Sequence, residues 1–458
     1  MIINRRDAIR LTAASLGGMA ALSSSGVSVA EDTSPNSATI EVLHPRARVP
    51  LSFIIDDSTC LVNMGHFCMP QFAHAWPERD VYKQPWRDWP REIPDQFVRE
   101  FGEWCAQHDV KGKYSIVPYP ACVGWLDRTL PGWSRQDLDQ SLALVRDLMM
   151  PNWDIHPEMI THTRVIDLKT GRPMAEVNAG TMENSYPQTD ISTDHLTEYL
   201  AYALRILKNC GLHCDGITTP GGFGNRVKDK LSVAAGQAVR DVYGSELPHY
   251  FKYVKTGDES TEPQLEFDGD KVLSNLTMNV PAGTGDWFGS WEGSKVSQPD
   301  LYCSADATSG RMVDLIERGQ PAVMLCHWPG MYCNGTKTGF EAFKRVVESL
   351  ASRFGNETLW MKVSEIARYW AAKKLTVLTR HDAGTIAIEA PLACKDFTIS
   401  VDATSITQAP ALTHAGKPIL LTEVASVSRL KSGTFARADG KLIICLDLAK
   451  GASRLALV

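Results

Sequence analysis

Leu51-Ser52-Phe53-Ile54-Ile55-Asp56-Asp57-Ser58 is an apolar run that ends on two adjacent carboxylates. Its aromatic and β-branched residues read as a buried strand, the kind found in parallel sheets covered by helices. The chain around it agrees. Pro94 to His108 sets Phe97, Phe101, Trp104 and Cys105 on one helical stripe, and Lys113-Tyr114-Ser115-Ile116-Val117 is the next strand. Ser134, with Asp137 three residues on, opens a capped helix that runs to about Met150. Trp153-Asp154-Ile155-His156 ends a third strand, and 193–209 is a helix with Leu196, Leu200, Leu204 and Leu207 on one face. Asp215-Gly216-Ile217-Thr218 is another strand. A helix is expected over 228–243, a strand over 273–280, a helix over 308–318, a strand from Ala322 to Cys326, a helix from Gly339 to Phe354 and a last strand over 360–363. This alternation, from 47 to 373, predicts a (β/α) barrel rather than a sandwich. From 374 to 458 the pattern changes to short strands punctuated by Gly and Pro, which predicts a small all-β, sandwich-like domain.

The chain has 458 residues, enough for a large barrel and a second domain. A formal charge of −6 leaves no basic surplus to neutralise phosphates, which argues against a nucleic-acid binder. No apolar run after the N-terminus is long enough for stable membrane insertion. Residues 1–30 read as a targeting segment. Arg5-Arg6 precedes a mildly apolar stretch from Leu11 to Leu22, and Ser28-Val29-Ala30 supplies small residues for cleavage. The segment resembles a twin-arginine export signal, which implies the twin-arginine export machinery as a partner and a periplasmic or secreted destination. Residues 31–46, polar and rich in Ser, Thr, Asn and Pro, read as a linker. Eleven cysteines cannot all pair internally, and several sit in apolar strands as small core residues.

In a barrel of this kind the chemistry sits just past the strand ends. Four such places stand out. Asp56 and Asp57 put like charges side by side, which is costly unless a cation or proton compensates. Asp154-Ile155-His156-Pro157-Glu158-Met159-Ile160-Thr161-His162 offers two histidines and a glutamate, the ligand types zinc takes in hydrolytic sites. Pro220-Gly221-Gly222 lets backbone approach a substrate. His327, at the end of Val323-Met324-Leu325-Cys326, is placed to donate a proton. Taken singly, each is also what an ordinary turn or a hydrogen-bonded core histidine looks like. Trp287, Trp291 and Trp328 lie in loop-like segments and could stack on sugar faces, although core anchoring is the commoner fate of tryptophan.

The order and spacing of these four places resemble the polysaccharide deacetylase (NodB-homology) family, over residues 47 to 373. That family has a strand ending in two aspartates, a His-x-x-x-His loop, a Pro-Tyr-Gly turn and a Leu-x-His strand end. The resemblance implies a distorted (β/α) barrel and a metal-dependent hydrolase that removes an N- or O-acyl group, such as acetyl, from a carbohydrate. It implies Asp56 as general base, Asp57 as a ligand of one divalent ion with zinc first in line, and His327 as general acid. Two departures matter. An ungapped match places Glu158 and His162 on the two histidine positions, while His156 falls two residues early. The ligands are then Asp57, His156 and His162, favoured because neutral imidazole keeps the site less anionic, or Asp57, Glu158 and His162. The family also places an arginine two residues before the proline to orient the base; here that residue is Thr218. An amide hydrolase acting on a small molecule, or a catalytically silent glycan-binding protein, are the alternatives this leaves.

Overall fold

Strand Val49–Asp56 is the centre of a parallel sheet in the computed structural model, which describes residues 40–267, 272–382, 384–402 and 408–457. It pairs in parallel with Ala322–His327 and with Gly112–Ile116, and the latter pairs with Trp153–Pro157. Thr358–Trp360 lies along its first residues. It is buried from Pro50 to Asp56, as a strand covered on both faces must be. A second sheet holds Gly216–Thr218, His249–Phe251 and Thr277–Asn279 in parallel, with Gln264–Glu266 antiparallel at its edge. The two sheets meet at a bridge between Glu158 and Thr218, and beyond the second sheet's last strand the Gly283 N–H donates to the Val323 carbonyl at 2.8 Å. The strands are laddered as two sheets, with no continuous ladder joining all of them around a barrel among the described residues. The parallel strands of the second sheet are three residues long.

The helices form where the apolar spacing places them. Asp95–Gln107 buries Phe97, Phe101 and Cys105. Ser134 and Asp137 form the reciprocal capping box. Thr193–Asn209 buries Leu196, Leu200, Leu204 and Leu207 behind a Ser192 cap. Thr338–Phe354 brings Phe343 onto Phe53, ring centroids 4.5 Å apart. The expected strand over 273–280 divides into a helical turn, Val272–Asn275, and a short strand, Thr277–Asn279; a brief apolar run does not distinguish the two by periodicity alone.

Past helix Val363–Leu375 the chain supplies, among the described residues, nine of the ten strands of two five-stranded sheets. One is centred on Cys394–Asp402 and Lys441–Leu448, the other on Thr385–Ala390 and Gly451–Ala456. Ile388, Phe397, Ile399, Ile444 and Leu455 fill the space between them. That core runs on without a break into Val323, Ile366 and Trp370 beneath the parallel strands. Residues 1–30, read as the export signal, lie outside the described residues, as do 31–39 of the expected linker. The rest of that linker is ordered. Glu41–Val42 adds a strand to the Cys394–Asp402 edge, because an open sheet edge offers unpaired backbone groups to any extended segment nearby. Among the described residues no helix is long and apolar enough to cross a membrane.

Candidate metal centre and active site

Asp56 closes its strand directly opposite His327, the last residue of the neighbouring parallel strand. The backbone then turns sharply. Asp57 has φ of 57°, a left-handed conformation that costs a non-glycine residue about 1–2 kcal/mol. The turn aims its N–H at Glu158 Oε2, 2.7 Å away. Glu158 follows strand Trp153–Pro157, and the chain curls again through Met159 and His162, at φ of 52° and 61°. These three left-handed residues put one ligand atom each from Asp57, Glu158 and His162 within 4.8 Å of one another, all buried.

The cluster has the donor set of a divalent cation site. His162 Nε2 stands 2.7 Å from Asp57 Oδ1 and 3.4 Å from Glu158 Oε1. Asp57 Oδ1 nonetheless has no hydrogen-bond partner, and neither has His162 Nδ1. Nε2 and Oδ1 thus face each other at ion-pair distance, an arrangement in which a cation could take the proton's place between them. Burial alone would lower the His162 pKa; the Asp57 carboxylate beside it, helped by Cys68 and Glu158, reverses this and holds it well above its usual value. Two carboxylates and an imidazole suit zinc and several other divalent ions.

His156, favoured above as a ligand, does not join the cluster. It sits on the strand itself, fully buried, with Nε2 2.8 Å from His249 Nε2 and Nδ1 3.3 Å from Thr218 Oγ1. It stands inside the strand, two residues before Glu158, and so sits below the strand end around which the loop ligands gather. Gly216 is glycine because a Cβ there would meet both rings, at 2.4 and 2.6 Å. Burial, then the second imidazole, pushes His156 well below its usual value, so the pair is held uncharged.

Two further side chains belong to the site and have no counterpart among the residues read from the sequence. Lys113 is fully buried and donates to Asp56 Oδ1, to Ser115 Oγ at 2.7 Å and to the Ile55 carbonyl at 3.2 Å. A lysine opening an otherwise largely apolar strand of a parallel sheet was the signal. Lys113 and Ser115 share one face by alternation, and that face had to hold an anion. The Asp56 pKa is raised, by burial first and by Glu158 second, with Lys113 and His327 opposing. The second side chain is Asp286. It accepts from the His327 N–H at 3.2 Å and lies 2.8 Å from His327 Nδ1. Burial works against the imidazolium, but Asp286, Asp57 and Asp56 raise its pKa to about 10.

The remaining expected residues separate into wall and core. Trp291 is half-buried against Phe72 and Tyr82, at 5.4 and 6.0 Å, and Phe72 lies 6.4 Å from the His162 ring. Trp287, also half-buried, packs edge-on to Tyr302 at 4.8 Å. Trp328 is not a surface residue: it is fully buried among Phe97, Phe101 and Tyr114 and anchors the core. Pro220 is buried, and Gly221 (φ 41°) and Gly222 pack against the backbone and Cβ of Asn184 rather than against the cluster.

No protein-family model matches the chain, and no curated protein matches it in sequence. Among solved structures it is similar to a candidate polysaccharide deacetylase from Mycobacterium smegmatis, at 12% identity over 76% of this chain and 99% of that one, with a TM-score of 0.44. It is similar to a candidate glycoside hydrolase/deacetylase from Parabacteroides distasonis at 12% identity, over 82% and 84% of the two chains, TM-score 0.37. A mutant of a CE4-family pseudoenzyme with restored activity matches at 12% identity, over 71% and 70%, TM-score 0.30. The reading of the site rests on its own geometry.

Proposed function

We propose that this chain is an exported metal-dependent hydrolase that removes an N- or O-linked acyl group, acetyl first, from a carbohydrate, on a distorted barrel of the polysaccharide-deacetylase type. The observation that carries the reading is the convergence at one set of strand ends of three parts: the Asp57–Glu158–His162 trio, the Asp56–Lys113 pair and the His327–Asp286 pair. Asp57, Glu158 and His162 would hold the ion. Bound there, a divalent cation would polarise the substrate carbonyl and acidify a water. Asp56, with its Oδ1 held by Lys113, keeps the other oxygen for the proton of that water. Its raised pKa makes it a better base than a solvated carboxylate. His327 is an imidazolium at neutral pH, turned by Asp286 so that Nε2 is the free donor. It gives its proton to the leaving amine or alkoxide as the bond to the acyl carbon breaks. Lys113 takes the base-orienting place that Thr218 leaves open. Trp291, with Phe72 and Tyr82, offers an aromatic wall for a sugar ring.

Export is part of the proposal. It is supported by Arg5-Arg6, the apolar stretch after it and Ser28-Val29-Ala30, and N-terminal sequencing of the protein recovered from the periplasm or medium checks it. The activity is tested by metal analysis together with acetate release from acetylated oligosaccharides. About one divalent ion per chain, and metal-dependent release, are expected. A purified chain that takes up no ion after reconstitution would favour the silent glycan-binding alternative.

A further inference from the structure

Glu183 is a fully buried carboxylate outside every group used so far. It stands in the long excursion between strand Trp153–Pro157 and helix Thr193–Asn209. Three consecutive backbone N–H groups donate to it: Ile160 to Oε1 at 3.2 Å, and Thr161 and His162 to Oε2 at 2.9 and 2.6 Å. The Tyr199 hydroxyl donates to Oε1 at 2.5 Å. The Glu183 N–H in turn donates to the Thr163 carbonyl at 2.6 Å. One residue thus grips 160–163 by its side chain and its backbone together.

Successive amides can converge on one anion only if the backbone curls between them, as in the nests that bind anions in turns. That curl is the one bounded by Met159 and His162, both at positive φ. It is also what brings Glu158, before the nest, and His162, whose N–H is the nest's last donor, to the same point. We infer that Glu183 is a positioning residue that sets the metal affinity of the site without touching the ion: its anion holds the loop in the conformation in which Glu158 and His162 both face Asp57. The inference rests on the metal-centre reading proposed above. Four donors aimed at one group require an acceptor at both oxygens. Glutamine, of the same shape, would present an NH₂ to N–H groups and break the nest.

The test is Co²⁺ affinity of the full chain, by competition with a chromophoric chelator, together with the visible spectrum of bound Co²⁺. Glu183→Gln is expected to weaken binding by about 10–100-fold, the range for partners that orient metal ligands, and to alter the Co²⁺ spectrum. Glu183→Asp, which keeps the charge, is expected to recover part of the loss. Leu350→Ala, a core truncation in helix Thr338–Phe354, is the control: it should lower the melting temperature and leave affinity unchanged. If Glu183→Gln does not fold, Tyr199→Phe removes one donor and leaves the three amides, and a several-fold loss is expected. Wild-type affinity and spectrum in Glu183→Gln, or in Tyr199→Phe where that variant stands in, would overturn the inference while leaving the metal site standing. Failure of the wild-type chain to bind Co²⁺ would instead remove the reading beneath it.

Discussion

The two ends of the parallel strands differ in how they treat charge. At the end where the strands start, a cleft of about 720 Å³ opens toward the C-terminal sheets, lined in part by Arg46, Lys111, Trp360, Glu365, Arg368 and Asp396. Several of its charges are answered in place: Arg46 meets Asp396 at 2.9 Å, Lys111 approaches Glu365 at 3.9 Å, and Arg368 meets Glu246 at 3.0 Å. At the end where the strands finish, Asp56, Asp57 and Glu158 are buried close together, and Lys113, His162 and His327 answer them incompletely, with Asp57 Oδ1 unbonded. Room marks the first end and unanswered charge marks the second. Unanswered buried charge is the better pointer to chemistry, because a fold keeps such groups in low dielectric only where something compensates them.

The comparison breaks most visibly if the charged end can be changed without consequence. Asp56→Asn is expected to reduce acetate release by about 10²–10⁴-fold, the range for loss of a general base, with metal content unchanged; a rate within a few-fold of wild type would mean that another group takes the proton. Lys113→Met leaves Asp56 buried without its cation. It should cost about 3–5 kcal/mol in denaturant unfolding, as breaking one side of a buried pair does, and should lower kcat more than it raises KM. Asp286→Asn removes the carboxylate against His327 Nδ1. The raised His327 pKa, about 10, means that the imidazolium persists through neutral pH and that its stabilising pair is complete below the unfolded value of about 6.5 and lost as pH rises through 10. The alkaline limb of kcat should therefore move down in the variant, and the stability advantage of wild type below that limb should shrink. The smallest effect belongs to the other end: Arg46→Gln, which opens a partly exposed pair, should change activity less than about twofold and stability by about 0.2–1 kcal/mol. A large loss of activity there would give the cleft a role that its paired charges do not suggest.

Much of the site is legible in the sequence. Asp56, Asp57 and His327 stand directly at strand ends, where local pattern and chain order coincide, and the structure places them at one rim. The choice between His156 and Glu158 is not legible there. It turns on whether a residue belongs to the strand or to the curl after it, and the curl makes its backbone hydrogen bonds to Glu183, 21 residues beyond His162. Trp328 departs from its expected surface position for a related reason: the short helix Trp328–Tyr332 turns it inward onto Phe97 and Phe101, and a tryptophan after a strand carries no mark of which way the chain turns.

The sequence by itself determined the alternation of buried strands and amphipathic helices, the change to β structure after helix Val363–Leu375 and the identity of the acidic strand end, because each follows from local spacing of apolar and charged residues. Only the tertiary structure decided that Asp57, Glu158 and His162 converge, that Lys113 and Asp286 stand against Asp56 and His327, and that the strands are laddered as two sheets. Those outcomes depend on contacts between segments many residues apart, and low-dielectric burial gives such contacts their weight only once the chain has closed around them.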